Sequence, residues 1–283
     1  MKTARMRPDR SAGWKRAVQM NRQRRASLRR PGAQKQRQKV SKTEVFAHRG
    51  ASGYAPENTL DAFMLAIEQG ADGIELDVQL SKDGVPVVIH DETVDRVTGQ
   101  SGFVKDFTLQ VLKEMVVLRE RFAKYRDARI PTLREVLDAV RPSGIAVNIE
   151  LKTGIYWYPE IEKKVAAIVE ETGMKDRVIY SSFNHYSVQK LKSIVPDAET
   201  AYLFSDVILH VDDYAAKSGV DGLHPAVYHV KMADFLAEYL ASGLRTRVWA
   251  VNERADMKML IDAGVTAIIT NYPDIAIAVR DMM

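Results

Sequence analysis

From Val45 to Thr270 the chain alternates short β-branched runs with longer segments whose apolar residues recur at helical spacing. The runs are VFAH (45–48), GIELDVQL (73–80), VPVVIH (85–90), IAVNIEL (145–151), RVIYSS (177–182), TAYLF (200–204), GLRTRVWAV (243–251) and TAIIT (266–270). Between most of them lie helical patterns such as TLDAFMLAIEQG (59–70), PEIEKKVAAIVEETG (159–173), SVQKLKSIV (187–195), KMADFLAEYLASG (231–243) and RADMKMLIDAG (254–264). Several close on glycine, which tolerates the left-handed turn at a helix C-terminus. Repeated strand–helix alternation means parallel βαβ units. About eight strands in roughly 240 residues predict an α/β fold, a closed (β/α)8 TIM barrel. An open doubly wound sheet would carry a glycine-rich phosphate turn after its first strand, and HRGASGYAPEN at 48–58 is not one.

Two segments depart from this rhythm. Residues 91–130, from DETVDRV to RDARI, predict a small insertion after the second barrel unit, and loops of that length commonly serve as lids. Residues 1–42 form a basic extension ahead of a domain spanning 43–283. Residues 1–40 carry 14 Lys and Arg against the single acid Asp9, a charge of +13. Of 41 basic and 37 acidic residues, 27 and 36 then remain, so the rest of the chain carries −9 behind a formal net charge of +4. With so little apolar content the extension predicts disorder. Weak contact with an anionic surface is its alternative role, with no specific nucleic acid implied.

Composition narrows the classes further. There are no cysteines, which excludes disulfides, thiolate metal sites and a cysteine nucleophile. No run approaches the roughly 20 apolar residues of a membrane span, and the basic N-terminus lacks the apolar stretch of a secretory signal. A cytoplasmic enzyme is the expectation.

Strand parity locates the chemistry. In GIELDVQL, Ile74, Leu76, Val78 and Leu80 face one way and Glu75, Asp77 and Gln79 the other. In IAVNIELK, Ile145, Val147, Ile149 and Leu151 oppose Asn148, Glu150 and Lys152. The apolar faces suit outer helices, which turns Glu75, Asp77 and Glu150 into the barrel. Buried carboxylates are costly unless paired or ligated. Without cysteine nearby, three of them suit a hard divalent cation, Ca²⁺ or Mg²⁺; pairing with Lys152 and Arg49 is the alternative. His48 and His90 each end an apolar run, where the catalytic mouth of a barrel lies, and suit general acid–base work. Arg49 and Lys152 suit phosphate oxygens, Arg as a bidentate fork and Lys as a point charge.

HRGASGYAPENTLDAF followed by GADGIELDVQLSKDGVPVVIHD resembles the glycerophosphodiester phosphodiesterase family, and the likeness continues through IPTLREVL, VNIELK, SSFN, VWAVN and TNYPD over residues 45–283. The resemblance implies a (β/α)8 hydrolase that uses a divalent metal to cleave glycerophosphodiesters to sn-glycerol 3-phosphate and an alcohol. It implies His48 and His90 as the acid–base pair; the order, with His48 as base and His90 as acid, is a separate mechanistic assignment that the resemblance leaves open. Glu75, Asp77 and Glu150 would be metal ligands, and Arg49 and Lys152 phosphate contacts. Trp249 would lie by the glycerol pocket, with Phe183 and Asn252 as weaker lining candidates. Glu57 and Asn58 fall in the PEN motif of the first loop, Glu57 as a further metal or outer-sphere group. Asn271 in TNYPD is a departure, because many relatives have an acid followed by a basic residue there. His185, His210 and His229 match no catalytic motif; nor does His224, though it falls near the pocket mouth. A lysophospholipase D-type phosphodiesterase on the same barrel, or a non-catalytic barrel tethered by its basic arm, are the competing functions.

Overall fold

The computed structural model describes residues 42–117, 122 and 124–283. The basic extension therefore lies, up to its last residue, outside the described residues, as does any surface contact through residues 1–40.

Eight parallel strands close into a barrel. They are β1 (Glu44–His48), β2 (Gly73–Leu80), β4 (Ala146–Leu151), β5 (Val178–Ser182), β6 (Glu199–Phe204), β7 (Gly222–Pro225), β8 (Arg245–Val248) and β9 (Ala267–Thr270). The order runs β1-β9-β8-β7-β6-β5-β4-β2, and β1 pairs with β2 to complete the ring. Helices α1 (Leu60–Glu68), α4 (Leu133–Val140), α5 (Ile161–Glu171), α6 (His185–Ile194), α7 (Val211–Lys217), α9 (Phe235–Ala241), α10 (Arg254–Ala263) and α11 (Pro273–Asp281) fill the crossovers. Local chemistry sets several starts: the Thr59 hydroxyl accepts from Ala62 N at α1, and Thr132 with Glu135 forms a reciprocal capping box at α4.

The staves differ from the expected set in two places. VPVVIH yields the three-residue β3 (Pro86–Val88), antiparallel to β2 and outside the ring. Only SKDGV separates it from β2, and a parallel return needs a crossover of a dozen or more residues. The eighth stave is instead β7, in GLHP, where four residues including His and Pro leave no β-branched signature.

Between β2 and α4 the chain makes an excursion of its own. It contains β3, a one-turn helix α2 (Asp95–Thr98) and α3 (Leu109–Glu114), and it packs around Val87, Val94, Val104, Leu112 and Met115.

The parity expectation holds. Ile74, Leu76, Val78 and Leu80 pack outward in one cluster with Phe63, Leu133 and Leu137. Truncating a fully buried Leu76 to alanine would cost about 2–5 kcal/mol. Inside the ring, Phe46, Ile179, Ala267 and Ile269 form an apolar plug. Gly73 is required beside it, because a Cβ there would lie 2.3 Å from the Phe46 ring. Among the described residues no helix is long and apolar enough to cross a membrane.

Candidate active site

The barrel register brings the first charged groups together. His48 is the Cα partner of Glu75 across β1–β2, and Asp77 of Glu150 across β2–β4. Adjacent strands lie roughly 5 Å apart, so inward side chains on paired positions become neighbours. Glu75, Asp77 and Glu150 are buried and offer oxygens that all lie within 4.8 Å of one another.

The loop after β1 wraps this cluster. Arg49 and Asn58 adopt left-handed backbone at φ 55° and 57°, and Gly50 sits at φ 79° with its missing Cβ only 2.6 Å from the Ala62 backbone. Such conformations cost about 1–3 kcal/mol each for non-glycine residues and persist where surrounding bonds over-determine them. Those bonds are present. Arg49 N donates to Glu75 Oε2 at 3.0 Å, Asn58 N to Arg49 O at 3.0 Å, and Asn58 Nδ2 to Asp77 Oδ2 at 2.8 Å. The PEN motif thus acts on the carboxylates partly through Asn58.

Cations pair with the acids without cancelling them. Arg49 Nη1 donates to Glu57 Oε1 at 2.9 Å, and its Nε lies 3.4 Å from Asp77 Oδ2. Lys152 Nζ lies 3.0 Å from Glu150 Oε1 and 3.8 Å from Asp77 Oδ1. Arg96 bonds Glu57 and Asp91. Five carboxylates (Glu57, Glu75, Asp77, Asp91, Glu150) therefore face three cations, so their full ionisation would leave two negative charges over. The acids divide accordingly. Burial and then the charges of Asp77 and Glu150 push Glu75 well above the usual carboxylate range. Burial also raises Glu150, with Lys152 opposing and Asp77 adding to the rise. Burial works against Asp77 as well, but Arg49, His90 and Lys152 together outweigh it and hold Asp77 at about 2. A buried site with more carboxylates than cations, Glu75 and Glu150 pushed towards protonation by burial and by neighbouring acids, and built of oxygen donors, fits a divalent cation.

The histidines are held differently. His48 Nδ1 lies 2.7 Å from Asn271 Oδ1, which with the amide oxygen as acceptor leaves Nε2 unprotonated, 3.9 Å from Glu75 Oε2. Burial, and next the Arg49 charge, lower the His48 pKa to about 4. Asn271 is fixed in turn by Asn252, whose Oδ1 accepts from Asn271 N at 2.9 Å and Thr270 Oγ1 at 3.2 Å. Asn252 thus positions Asn271 instead of lining the pocket, and Asn271 keeps a bond to the site without a charge.

His90 belongs to the excursion, just past β3, and its Nδ1 lies 2.6 Å from Asp91 Oδ1. Its main chain is pinned from within the barrel. Gln79 Nε2 donates to Ile89 O (3.2 Å), His90 O (3.0 Å) and Asp91 O (2.6 Å), while its Oε1 accepts from Tyr158 Oη at 2.8 Å.

These groups share a cavity of about 110 Å³. His48, Arg49, Glu75, His90, Asn148 and Glu150 line one side, and Phe183, Leu203, Trp249 and Ile269 the other. Trp249 and Phe183 meet edge to face with centroids 5.5 Å apart, and Trp249 Nε1 donates to His224 O at 2.7 Å. His224 itself is fully buried, does not line the cavity, and has neither ring nitrogen hydrogen-bonded. His185 stacks on Tyr202, His229 packs by Phe204, and His210 precedes α7. Sequence reasoning missed Gln79, Asp91, Arg96 and Asn148. Gln79 and Asn148 were visible as inward-parity polar positions and Asp91 as a neighbour of His90; Arg96 had no local signal.

Barrel and mouth together define a (β/α)8 enzyme whose acid-lined site sits at the C-terminal ends of its strands. The model of the glycerophosphoryl diester phosphodiesterase family matches residues 48–275. The chain belongs to this family and is a phosphoric diester hydrolase. It is 43% identical over 233 residues to a glycerophosphodiester phosphodiesterase of Caldanaerobacter subterraneus, covering 82% of this chain and 96% of the relative. A glycerophosphodiester phosphodiesterase of Bacillus altitudinis is 40% identical over 243 residues, with 85% and 99% covered. Among solved structures, an Oleispira antarctica phosphodiesterase in complex with the product sn-glycerol-3-phosphate superposes with TM-score 0.79 at 28% identity, over 84% of this chain and 96% of that one.

Proposed function

We propose that the chain hydrolyses glycerophosphodiesters to sn-glycerol 3-phosphate and an alcohol in a metal-dependent reaction with two histidines as proton carriers. The observation that carries this reading is the buried Glu75–Asp77–Glu150 cluster, two of whose members, Glu75 and Glu150, line one cavity with His48 and His90. Those three carboxylates would hold a divalent cation, Ca²⁺ or Mg²⁺. When bound, the ion neutralises phosphate charge and lowers the pKa of the attacking hydroxyl.

The chain's own groups do the rest. Arg49 and Lys152 hold the non-bridging phosphate oxygens. His48, with Nε2 unprotonated, takes the proton from the attacking hydroxyl, whether water or the glycerol 2-hydroxyl. His90, with a carboxylate on Nδ1 as counter-charge, gives a proton to the leaving alcohol from Nε2. Trp249 and Phe183 seat the glycerol carbons. The excursion, which supplies His90, closes one side of the mouth as a lid.

A lysophospholipase D-type activity is a second reading. The chain just past β4, β5 and β6 exposes Trp157 (57%), Tyr186 (80%, in the first turn of α6) and Leu209 (81%), apolar surface that an acyl chain could cover. Assay of the chelated enzyme, then of the metal-replenished enzyme, on glycerophosphocholine beside lysophosphatidylcholine tests both. The proposal requires turnover that chelation abolishes and Ca²⁺ or Mg²⁺ restores. Full activity after chelation, or turnover of neither substrate, would overturn it.

A further inference from the structure

Arg96, on the one-turn helix α2 of the excursion, spends its guanidinium fork on two carboxylates. Nε and Nη2 donate to Asp91 at 2.6 and 3.0 Å, and Nη1 and Nη2 donate to Glu57 at 2.8 and 2.7 Å. Each carboxylate has a second partner in the mouth of the barrel. Asp91 Oδ1 lies 2.6 Å from His90 Nδ1, and Glu57 Oε1 accepts from Arg49 Nη1 at 2.9 Å. A continuous chain therefore runs His90–Asp91–Arg96–Glu57–Arg49. Its ends belong to separate parts of the fold, His90 to the excursion and Arg49 to the loop after β1.

We infer that Arg96 is a positioning residue that sets the spacing between His90 and Arg49, and so couples the excursion to turnover. The inference rests on the reading above, in which those two side chains act on the phosphodiester. Only a planar, five-donor guanidinium can grip both carboxylates at once; a lysine ammonium is a point charge without that fork. Without it, Asp91 and Glu57 would face each other as like charges. They would separate, Asp91 drawing the His90 ring and Glu57 the Arg49 fork. Arg96 is not needed to hold its own helix, because Val94 and Val97 on either side are buried in the apolar core of the excursion. Positioning and folding are therefore separable at this residue.

The test uses Arg96→Ala and Arg96→Lys in the metal-replete enzyme with glycerophosphocholine, with thermal unfolding and bound metal measured alongside. Misplacement of a reacting group by about 1 Å can cost on the order of 100-fold, so kcat should fall about 100-fold in both variants while KM moves far less. Unfolding temperature and metal content should stay near wild type. Guanidinium ion at millimolar concentration should restore turnover to Arg96→Ala, where it can refill the vacated fork, and not to Arg96→Lys. Unchanged kcat in Arg96→Ala overturns the inference, as does lost turnover that guanidinium fails to restore. If the alanine variant does not fold, a cycle of Arg96→Gln with Glu57→Gln decides the matter. A double variant no worse than the poorer single supports the chain, and fully additive losses overturn it. An inactive wild-type enzyme would remove the underlying reading, whereas an active one indifferent to Arg96 removes only the clasp.

Discussion

Staves β1, β2 and β4 bring His48, Glu75, Asn148 and Glu150 to the cavity, whereas β6, β8 and β9 bring it Leu203, Ile269 and, just past β8, Trp249. The two halves of one ring thus solve opposite problems. On the first, charges are kept by networking them: register places acids beside one another, and Arg49, Lys152 and Arg96 hold them. On the second, a buried histidine is driven towards neutrality beside a cation that stays charged and paired, Arg247 Nη1 lying 2.7 Å from Glu199 Oε1. Burial, and then the Arg247 charge, push His224 well below the usual histidine range, and burial lowers Arg247 to about 10. A barrel can therefore assign charge stabilisation to one arc and substrate shape to the other, and substitutions on the two arcs should have different kinetic signatures.

The sharpest break in that comparison lies on the charged arc. Asp77→Asn or Glu150→Gln removes a carboxylate from the cluster proposed to hold the cation, a loss expected to be worth several kcal/mol of transition-state stabilisation, so kcat/KM should fall about 1000-fold or more. Steady-state kinetics over a metal titration reads this directly, with a higher metal requirement expected in the same variants. Activity within about tenfold of wild type at saturating metal would dissolve the distinction between the arcs.

Next in size are the proposed proton carriers. His48→Ala and His90→Ala should each lower kcat by about 100- to 10,000-fold, the usual range for a general acid or base. Bound metal, measured on the purified variants, should not change. Asn271→Ala acts on His48 only by freeing its Nδ1, so a loss of about tenfold is expected, typical of a group that orients another. A larger loss at Asn271 than at His48 would reverse the assigned order of dependence.

The charged arc was more legible in the sequence than the apolar one, for a physical reason. Strand parity has a period of two, so GIELDVQL and VNIELK display their inward acids in plain alternation, and residues 45–58 give the loop that holds them. The stave β7 escaped because GLHP offers no alternation, and VPVVIH passed for a stave because composition cannot tell a hairpin arm from a crossover strand. The bonds from Gln79 to the His90 loop, from Asn252 to Asn271 and from Arg96 to Glu57 join residues remote in sequence or in separate elements. No local pattern encodes such pairs; they follow only once the barrel and its excursion are folded.

On the apolar arc the expected signature is binding, not chemistry. Trp249→Ala removes an aromatic wall that meets Phe183 and leaves every charged group in place. Losing such a contact is worth about 1–3 kcal/mol, so KM should rise about 10- to 100-fold with kcat little changed. Michaelis–Menten analysis on glycerophosphocholine separates the two parameters, and a kcat-dominated loss would place Trp249 with the charged arc.

The smallest expected effect is on stability and isolates the suppressed charge of the same arc. His224 is neutral in the folded protein because burial and Arg247 lower its pKa well below 6.5, whereas in the unfolded chain it titrates near 6.5. Below pH 6.5 the unfolded state therefore binds a proton that the folded state refuses, so stability is complete above that pH and declines as pH falls through it. For one histidine the slope approaches about 1.4 kcal/mol per pH unit until the folded-state pKa is reached. Urea unfolding of wild type and His224→Gln from about pH 7 to pH 5 should show the variant losing less stability on acidification, by up to one proton's slope. The carboxylates of the charged arc also titrate, but equally in both proteins, so the difference reports His224 alone. Parallel curves would mean that the ring protonates in the folded barrel despite burial and the Arg247 charge.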